Sequence, residues 1–297
     1  MKEYHILNLG AGVQSTTLSL LVLSGEIAKW CPTFDAAIFA DTQEEPHTVY
    51  EHLAWLRTQT DAHWPTLIRT RGKLGDQLVR GVNANGQRFV SIPAFTTDHE
   101  GNAKEAGRLR RQCTKEYKSD VINQTIRREI LGLKPRRHIP SNVIIHQYLG
   151  LSFEEYGRIF GTAGSPGAKA RIEAISRVRA HFPLYELFLT RETCLAYLST
   201  QNIPHKVPRS ACLFCPYHGD REWLNIKTSD PEGWQRVVQV DGAIRNHDSV
   251  CTQGMQHSLF LHRSCLPISK VQFTRAERPD QQERNFAALE CEGMCGV

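Results

Sequence analysis

Short apolar runs alternate with helical patterns over the first two-thirds of the chain. His5 to Leu9 reads as a buried strand, and Ala36 to Ala40 as a second one that ends at Asp41 and Thr42. Between them Leu18, Leu20, Leu21 and Leu23 supply the apolar side of a helix. Residues 49–57 predict another helix, and Thr66 to Arg69 a third strand. Lys115 to Ile130 predicts a helix with a mixed basic face, Val143 to Tyr148 a further strand, and Thr190 to Leu198 a further helix. Alternation of strand and helix predicts an α/β fold: a Rossmann-like open parallel sheet with helices on both faces.

The pattern breaks at residues 80–107, where Asn83, Asn85, Gly86, Gly101 and Gly107 suggest an insertion or a mobile lid. Ser152 to Arg158 reads as a polar turn and Gly161 to Gly167 as a loop. Beyond Pro208 the chain is rich in Cys, His and Trp, with weaker periodicity. The expected division is therefore an α/β domain over 1–207 and a smaller Cys/His-rich extension over 208–297. A length of 297 residues suits that arrangement. The Leu18 to Leu23 stretch falls far short of the roughly 20 apolar residues that span a bilayer. No leader, anchor or membrane contact is expected, and a cytoplasmic setting follows.

Charge adds one local feature. The chain carries a formal +5, but Arg108 to Arg137 holds ten Lys/Arg against three Asp/Glu. Such a stretch attracts phosphates, with tRNA or DNA as candidate partners, or is simply a solvated helix face. The nine cysteines are odd in number. In a cytosolic chain of this size, clustered cysteines point to metal or redox chemistry rather than to a disulfide framework.

Gly10, Ala11, Gly12, Val13, Gln14, Ser15 and Thr16 lie between the first strand and its helix. A Gly-rich turn at a helix N-terminus collects unpaired backbone N–H groups and makes an anion site. An ordinary strand-to-helix turn has the same composition. Asp41, at the end of the second strand, is placed either to bond a ribose or adenine group or to cap a helix.

The run Gly10–Ser15 resembles the Ser-Gly-Gly-x-Asp-Ser loop of the PP-loop ATP-pyrophosphatase superfamily. Gly10 stands where that family has Ser, Ala11 where it has Gly, and Gln14 where it has Asp. Ala40 to Glu45 is similar to the Asp-Thr-Gly segment of phosphoadenosine-phosphosulfate reductases. Cys113-Thr114 with Lys118, Gly150 to Glu155 with Arg158, and Phe182-Pro183-Leu184 match further segments of that group in order. The resemblance covers about two-thirds of the chain. It implies ATP or a related adenine nucleotide held by residues 10–16 with Asp41 and Thr42, optionally with Mg. It also implies catalytic roles for Ser15, Glu155 and Arg158.

Cys212-Leu213-Phe214-Cys215-Pro216 is the sharpest local motif, because two thiolates two residues apart can bind one metal from a single turn. Cys113, with 98 residues between it and Cys212, is the leading third ligand. One upstream cysteine followed by a distant CxxC resembles the layout of adenylyl-sulfate reductases and iron–sulfur tRNA thiolases, which implies a three-cysteine [4Fe-4S] cluster. A zinc site with His218 is the alternative, and Cys291 and Cys295 are additional candidate ligands. Cys31, Cys194, Cys251 and Cys265 are expected in core packing, and His257, His262 and Arg263 as surface polar groups.

Three functions are consistent with these residues. The first is ATP-dependent sulfur transfer onto a nucleic acid or nucleotide, with a sulfur donor as partner. The second is sulfonucleotide reduction with a thioredoxin-like reductant. The third is a nucleotide sensor or assembly partner without turnover, which the loss of the loop acid at Gln14 favours.

Overall fold

The computed structural model describes residues 1–87, 90–97, 107–162, 164–245 and 257–273. Cys251, Cys291 and Cys295 lie outside them. Five parallel strands form the central sheet: β1 (Lys2–Leu9), β2 (Ala36–Asp41), β3 (Thr66–Thr70), β4 (Val143–Leu149) and β5 (Val178–His181), in the order β3-β2-β1-β4-β5. All four neighbouring pairs are parallel. The expected strands are present, and β5 joins them from a stretch that carried no strong apolar run.

Alternation along each strand sorts side chains to the two faces. Leu7, Leu9, Ala37, Phe39 and Tyr148 face one side, packed by helix α1 (Val13–Ser24), helix α2 (His47–Thr60) and the helix Arg191–Ser199. Ile6, Ile38, Ala40, Ile145 and Leu149 face the other, covered by Val121, Ile122 and Ile126 and by the helix Ala168–Glu173. Every residue of α1 from Val13 to Val22 is buried. Its polar side chains tolerate this by bonding inward: the Thr17 hydroxyl donates to the Val13 carbonyl at 2.9 Å and Ser19 to Ser15 at 2.8 Å.

The predicted helix at 115–130 is a continuous run of three segments, Lys115–Ser119, Asp120–Thr125 and Ile126–Ile130, the first and last wound as π-helix. Sixteen residues carry the chain about 24 Å along the sheet, so its basic residues are divided. Arg108, Arg111 and Lys118 lie at the carboxyl end of the strands. Further along, Arg128 donates to the Leu133 carbonyl and Arg127 to that of Arg137.

A second core joins distant parts of the chain. Leu74, Leu78, Val90, Ile92, Ala94 and Tyr117 pack in one cluster with Phe214, Trp223, Val237, Ile244 and Leu261. The Cys/His-rich part beyond 208 shares its interior with residues 74–117. It also contains two clear helices, Asp220–Ser229 and Pro231–Arg245, which its weak periodicity concealed. The described parts of the 80–107 insertion are anchored here, with Phe95–Thr96 paired to Gly107–Arg108 and Leu259–Phe260. Gly161–Gly167, expected as a loop, contains the paired strands Gly161–Thr162 and Ser165–Pro166. No helix among the described residues is long and apolar enough to cross a membrane.

Candidate functional site

The strand order reverses direction between β1 and β4, and open α/β sheets bind ligands at the carboxyl ends of the strands flanking such a reversal. The Gly10–Gly12 turn leaves β1 at that point and Gly150 leaves β4 beside it. A Cβ on Gly150 would stand 2.8 Å from the Ser15 nitrogen and 2.9 Å from the Gln14 carbonyl carbon. Only glycine permits the two backbones to approach this closely. Ala11 bends the turn with φ at +54°, a left-handed conformation uncommon for alanine.

The side chains of the turn are committed within the protein. Ser15 Oγ accepts from the Gly12 N–H at 3.2 Å. Thr16 Oγ1 shares a hydrogen bond with His52 Nε2 at 2.8 Å, and His52 Nδ1 shares another with His205 Nε2 at 2.9 Å. Burial, with His205 beside it, pushes His52 down to about 4, so its imidazole is neutral near pH 7. Gln14 donates to Glu155 at 3.3 Å and accepts from Arg191 at 3.1 Å. The hydroxyls and the amide thus fix the shape of the turn. What the turn leaves to offer an anion is the backbone at the start of α1, since the first N–H groups of a helix have no intrahelical partner.

Glu155 and Arg158, for which the family resemblance implies catalytic roles, form a buried ion pair. The Glu155 carboxylate also accepts from the Ser152 N–H at 2.9 Å and the Ser152 hydroxyl at 3.0 Å. This is a capping box, and its Ser-x-x-Glu spacing was readable in the sequence. With Gln14 added, Glu155 is a buried anchor joining the turns after β1 and β4. Arg191, the other partner of Gln14, had no local signal.

Asp41 accepts from the Gln43 N–H at 2.7 Å and from the Tyr50 hydroxyl at 2.9 Å, so it holds the turn after β2. Thr42 lies one residue further and donates to Glu45 at 3.1 Å. Glu45 pairs with Lys118 at 3.3 Å, both side chains being buried. The Glu44 carbonyl accepts from the Leu213 N–H at 2.8 Å, and its carboxylate pairs with Arg236. The turn after β2 is thereby joined to the CxxC segment.

That junction opens as a pocket. Cys113, Cys212 and Cys215 all line it, together with Thr42, Arg111 and Lys118. Three cysteines separated by up to a third of the chain therefore share one wall at the carboxyl edge of the sheet. Burial pushes the Cys212 thiol well above its ordinary range. The neighbouring Cys215, Glu45 and Cys113 add to the rise, and Lys118 opposes it. Arg108 and Arg111 both lie over the Tyr217 ring, at 4.9 and 5.2 Å from its centre.

His218 is turned away from this wall. Its Nε2 lies 2.9 Å from the Cys212 carbonyl, its Nδ1 lies 3.5 Å from Glu222, and its ring meets Trp223 edge-on. His218 is not among the residues that line the pocket with the three cysteines. Among the described residues no group of three or more His, Cys, Asp or Glu side chains stands ready to grip a metal ion. The thiols share a wall rather than a finished cage. The donor chemistry still fits a soft metal centre: three thiols, with Lys118 and Arg111 to balance thiolate charge.

Cys31, Cys194 and Cys265 are buried elsewhere. His262, expected at the surface, is buried against Asp220 at 3.3 Å. In comparisons with protein-family models, curated proteins and solved structures, nothing matches this chain.

Proposed function

We propose that the chain is an adenine-nucleotide-dependent enzyme of sulfur transfer, acting on a nucleic-acid or nucleotide substrate at a three-cysteine centre. The observation that carries this reading is the convergence of Cys113, Cys212 and Cys215 on one pocket beside Thr42. Neighbouring strands are about 5 Å apart, so the turn after β2 and the anion-binding turn after β1 are adjacent.

In this reading the N–H groups opening α1 hold the pyrophosphate that leaves when ATP activates a substrate oxygen as its adenylate. A sulfur nucleophile then displaces AMP. Cys113, Cys212 and Cys215 would hold a [4Fe-4S] cluster, which supplies a site for carrying sulfur or electrons. Lys118 and Arg111 offset the negative charge of the thiolates. Glu155, Arg158 and Arg191 keep the two turns in register through Gln14.

The test is ATP-dependent pyrophosphate release by anaerobically purified protein, with substrate RNA and sulfide supplied. Release that requires Cys212 supports the reading. Nucleotide binding without release under any of these conditions turns it toward the sensor. One observation favours that second reading: Gln14, standing where the related loops carry an acid, is already bound to Glu155 and Arg191.

A further inference from the structure

Four large aromatic side chains stand together at the surface: Phe153 is 40% exposed, Tyr156 58%, Phe160 43% and Phe188 72%. Their rings form a contiguous cluster around Tyr185, stacked at one pair and tilted or edge-on at the others. Phe153 stacks on Tyr185 with centres 5.5 Å apart and an interplanar angle of 23°, and Phe188 lies 5.2 Å from Phe153. Tyr156 and Phe160 are 4.8 Å apart, and Phe160 meets Tyr185 at 5.4 Å. Single exposed aromatics are ordinary, whereas a contiguous group marks an interaction surface.

The backbone holds the plate in shape at some cost. Phe188 sits at φ +56°, where a bulky residue is strained. The Phe153 N–H donates to the Leu189 carbonyl at 2.8 Å, which ties the turn after β4 to the segment bearing Phe188. The plate thus abuts the Ser152–Glu155 capping box and the anion-binding turn.

Two arginines lie on the neighbouring helix side. The helix Ala168–Glu173 packs against the helix Tyr156–Phe160 and carries Arg171, which donates to Ser165 at 3.4 Å. Arg110 is exposed and close enough that, after burial, its charge is what lowers the pKa of Arg171. Of the adjacent carboxylates, Glu155 is paired with Arg158, and Glu154 accepts from the Arg191 backbone N–H.

We propose that the plate of Phe153, Tyr156, Phe160 and Phe188, with Arg110 and Arg171 beside it, is a stacking platform for unpaired bases of a single-stranded nucleic-acid segment. Aromatic faces accept any base and guanidinium groups accept the backbone phosphates. The proposal deepens the sulfur-transfer reading and rests on it for the substrate class.

The test is fluorescence anisotropy of a labelled 20-nucleotide oligo-dT and oligo-U, against a duplex of equal length. The proteins are the full chain and the variants Phe188→Gly and Tyr156→Ala/Phe188→Gly. Glycine suits φ +56°, so Phe188→Gly removes the ring without straining the turn. The expected result is preference for the single strand, with affinity falling about tenfold per ring removed. Arg110→Ala should reduce the salt dependence of binding by about one counterion. Equal binding by the double variant, or none by the parent protein, overturns the proposal. So does a concentration-dependent dimer that Phe188→Gly dissociates, since the plate would then be a contact between copies. Iron content and ATP turnover are measured on the same preparations. Ring-dependent binding without either would remove the sulfur-transfer reading alone. Both present without binding would remove the platform alone.

Discussion

The glycine-rich turn after β1 and the thiol pocket lie side by side at one edge of the sheet, yet they are built in opposite ways. The turn comes from seven consecutive residues, and its side chains point into the protein to fix a backbone shape. The pocket comes from three distant segments, and its side chains are the functional groups. A contiguous motif can supply geometry on its own. A dispersed set of donors has to be gathered by the fold, here by the Glu44–Leu213 backbone bond and the buried Glu45–Lys118 pair.

If the turn is a backbone device, crowding its backbone should do the most damage. Gly150→Ala places a carbon 2.8 Å from Ser15 N and should cost about 3 kcal/mol, at the upper end of overpacking effects. Thermal unfolding checks this, with Gly157→Ala as the control because its added carbon meets nothing nearer than 3.7 Å. Equal melting of the two variants would break the argument.

The second prediction concerns pH. His52 is held neutral by burial, with a pKa of about 4 against an ordinary value near 6.5. Between these values the unfolded chain binds the extra proton, so the stability is complete above pH 6.5 and is lost as pH falls toward 4. The loss is on the order of 3 kcal/mol. Denaturant titrations at pH 7 and pH 4.5 should show a smaller loss for His52→Gln than for the parent protein. The same slope in both would exclude His52 as the source.

A smaller effect separates this turn from the loops it resembles. Gln14→Asp restores the acid but sets it in the space facing Glu155, with Arg191 as the one partner that can compensate. The expected cost is about 1–2 kcal/mol by urea denaturation. A stabilised variant would mean that Gln14 does not bridge the two groups. Smallest of all, Tyr50→Phe removes the hydrogen bond to Asp41 and should cost about 1 kcal/mol. The thiol pocket should be untouched, as judged by the rate at which Cys113 reacts with a thiol reagent.

The sheet was legible because its strands are short apolar runs buried on both faces, and Leu7 and Ile38 have no other place to go. The CxxC motif was legible because its spacing is a local chemical signature. The second core was not, because Leu74 and Ile92 gain their partners only when Trp223 and Val237 arrive from 130 or more residues away. His262 was misread for the same reason: a histidine's burial depends on a distant partner, here Asp220. The role of Glu155 lay between these cases. Its Ser-x-x-Glu spacing is a local cap signal within what reads only as a polar turn, while the residues it also holds, Gln14 and Arg158, fix it as an anchor.

The claim that the three cysteines act as one centre is tested most directly by metal analysis. Iron, acid-labile sulfide and zinc are measured with the absorption spectrum after anaerobic purification of the parent protein, Cys113→Ala, Cys212→Ala and Cys265→Ala. The account predicts an iron–sulfide chromophore in the parent and in Cys265→Ala, lost from both pocket variants. A chromophore that survives Cys113→Ala, or a parent protein with no metal bound at all, would contradict it.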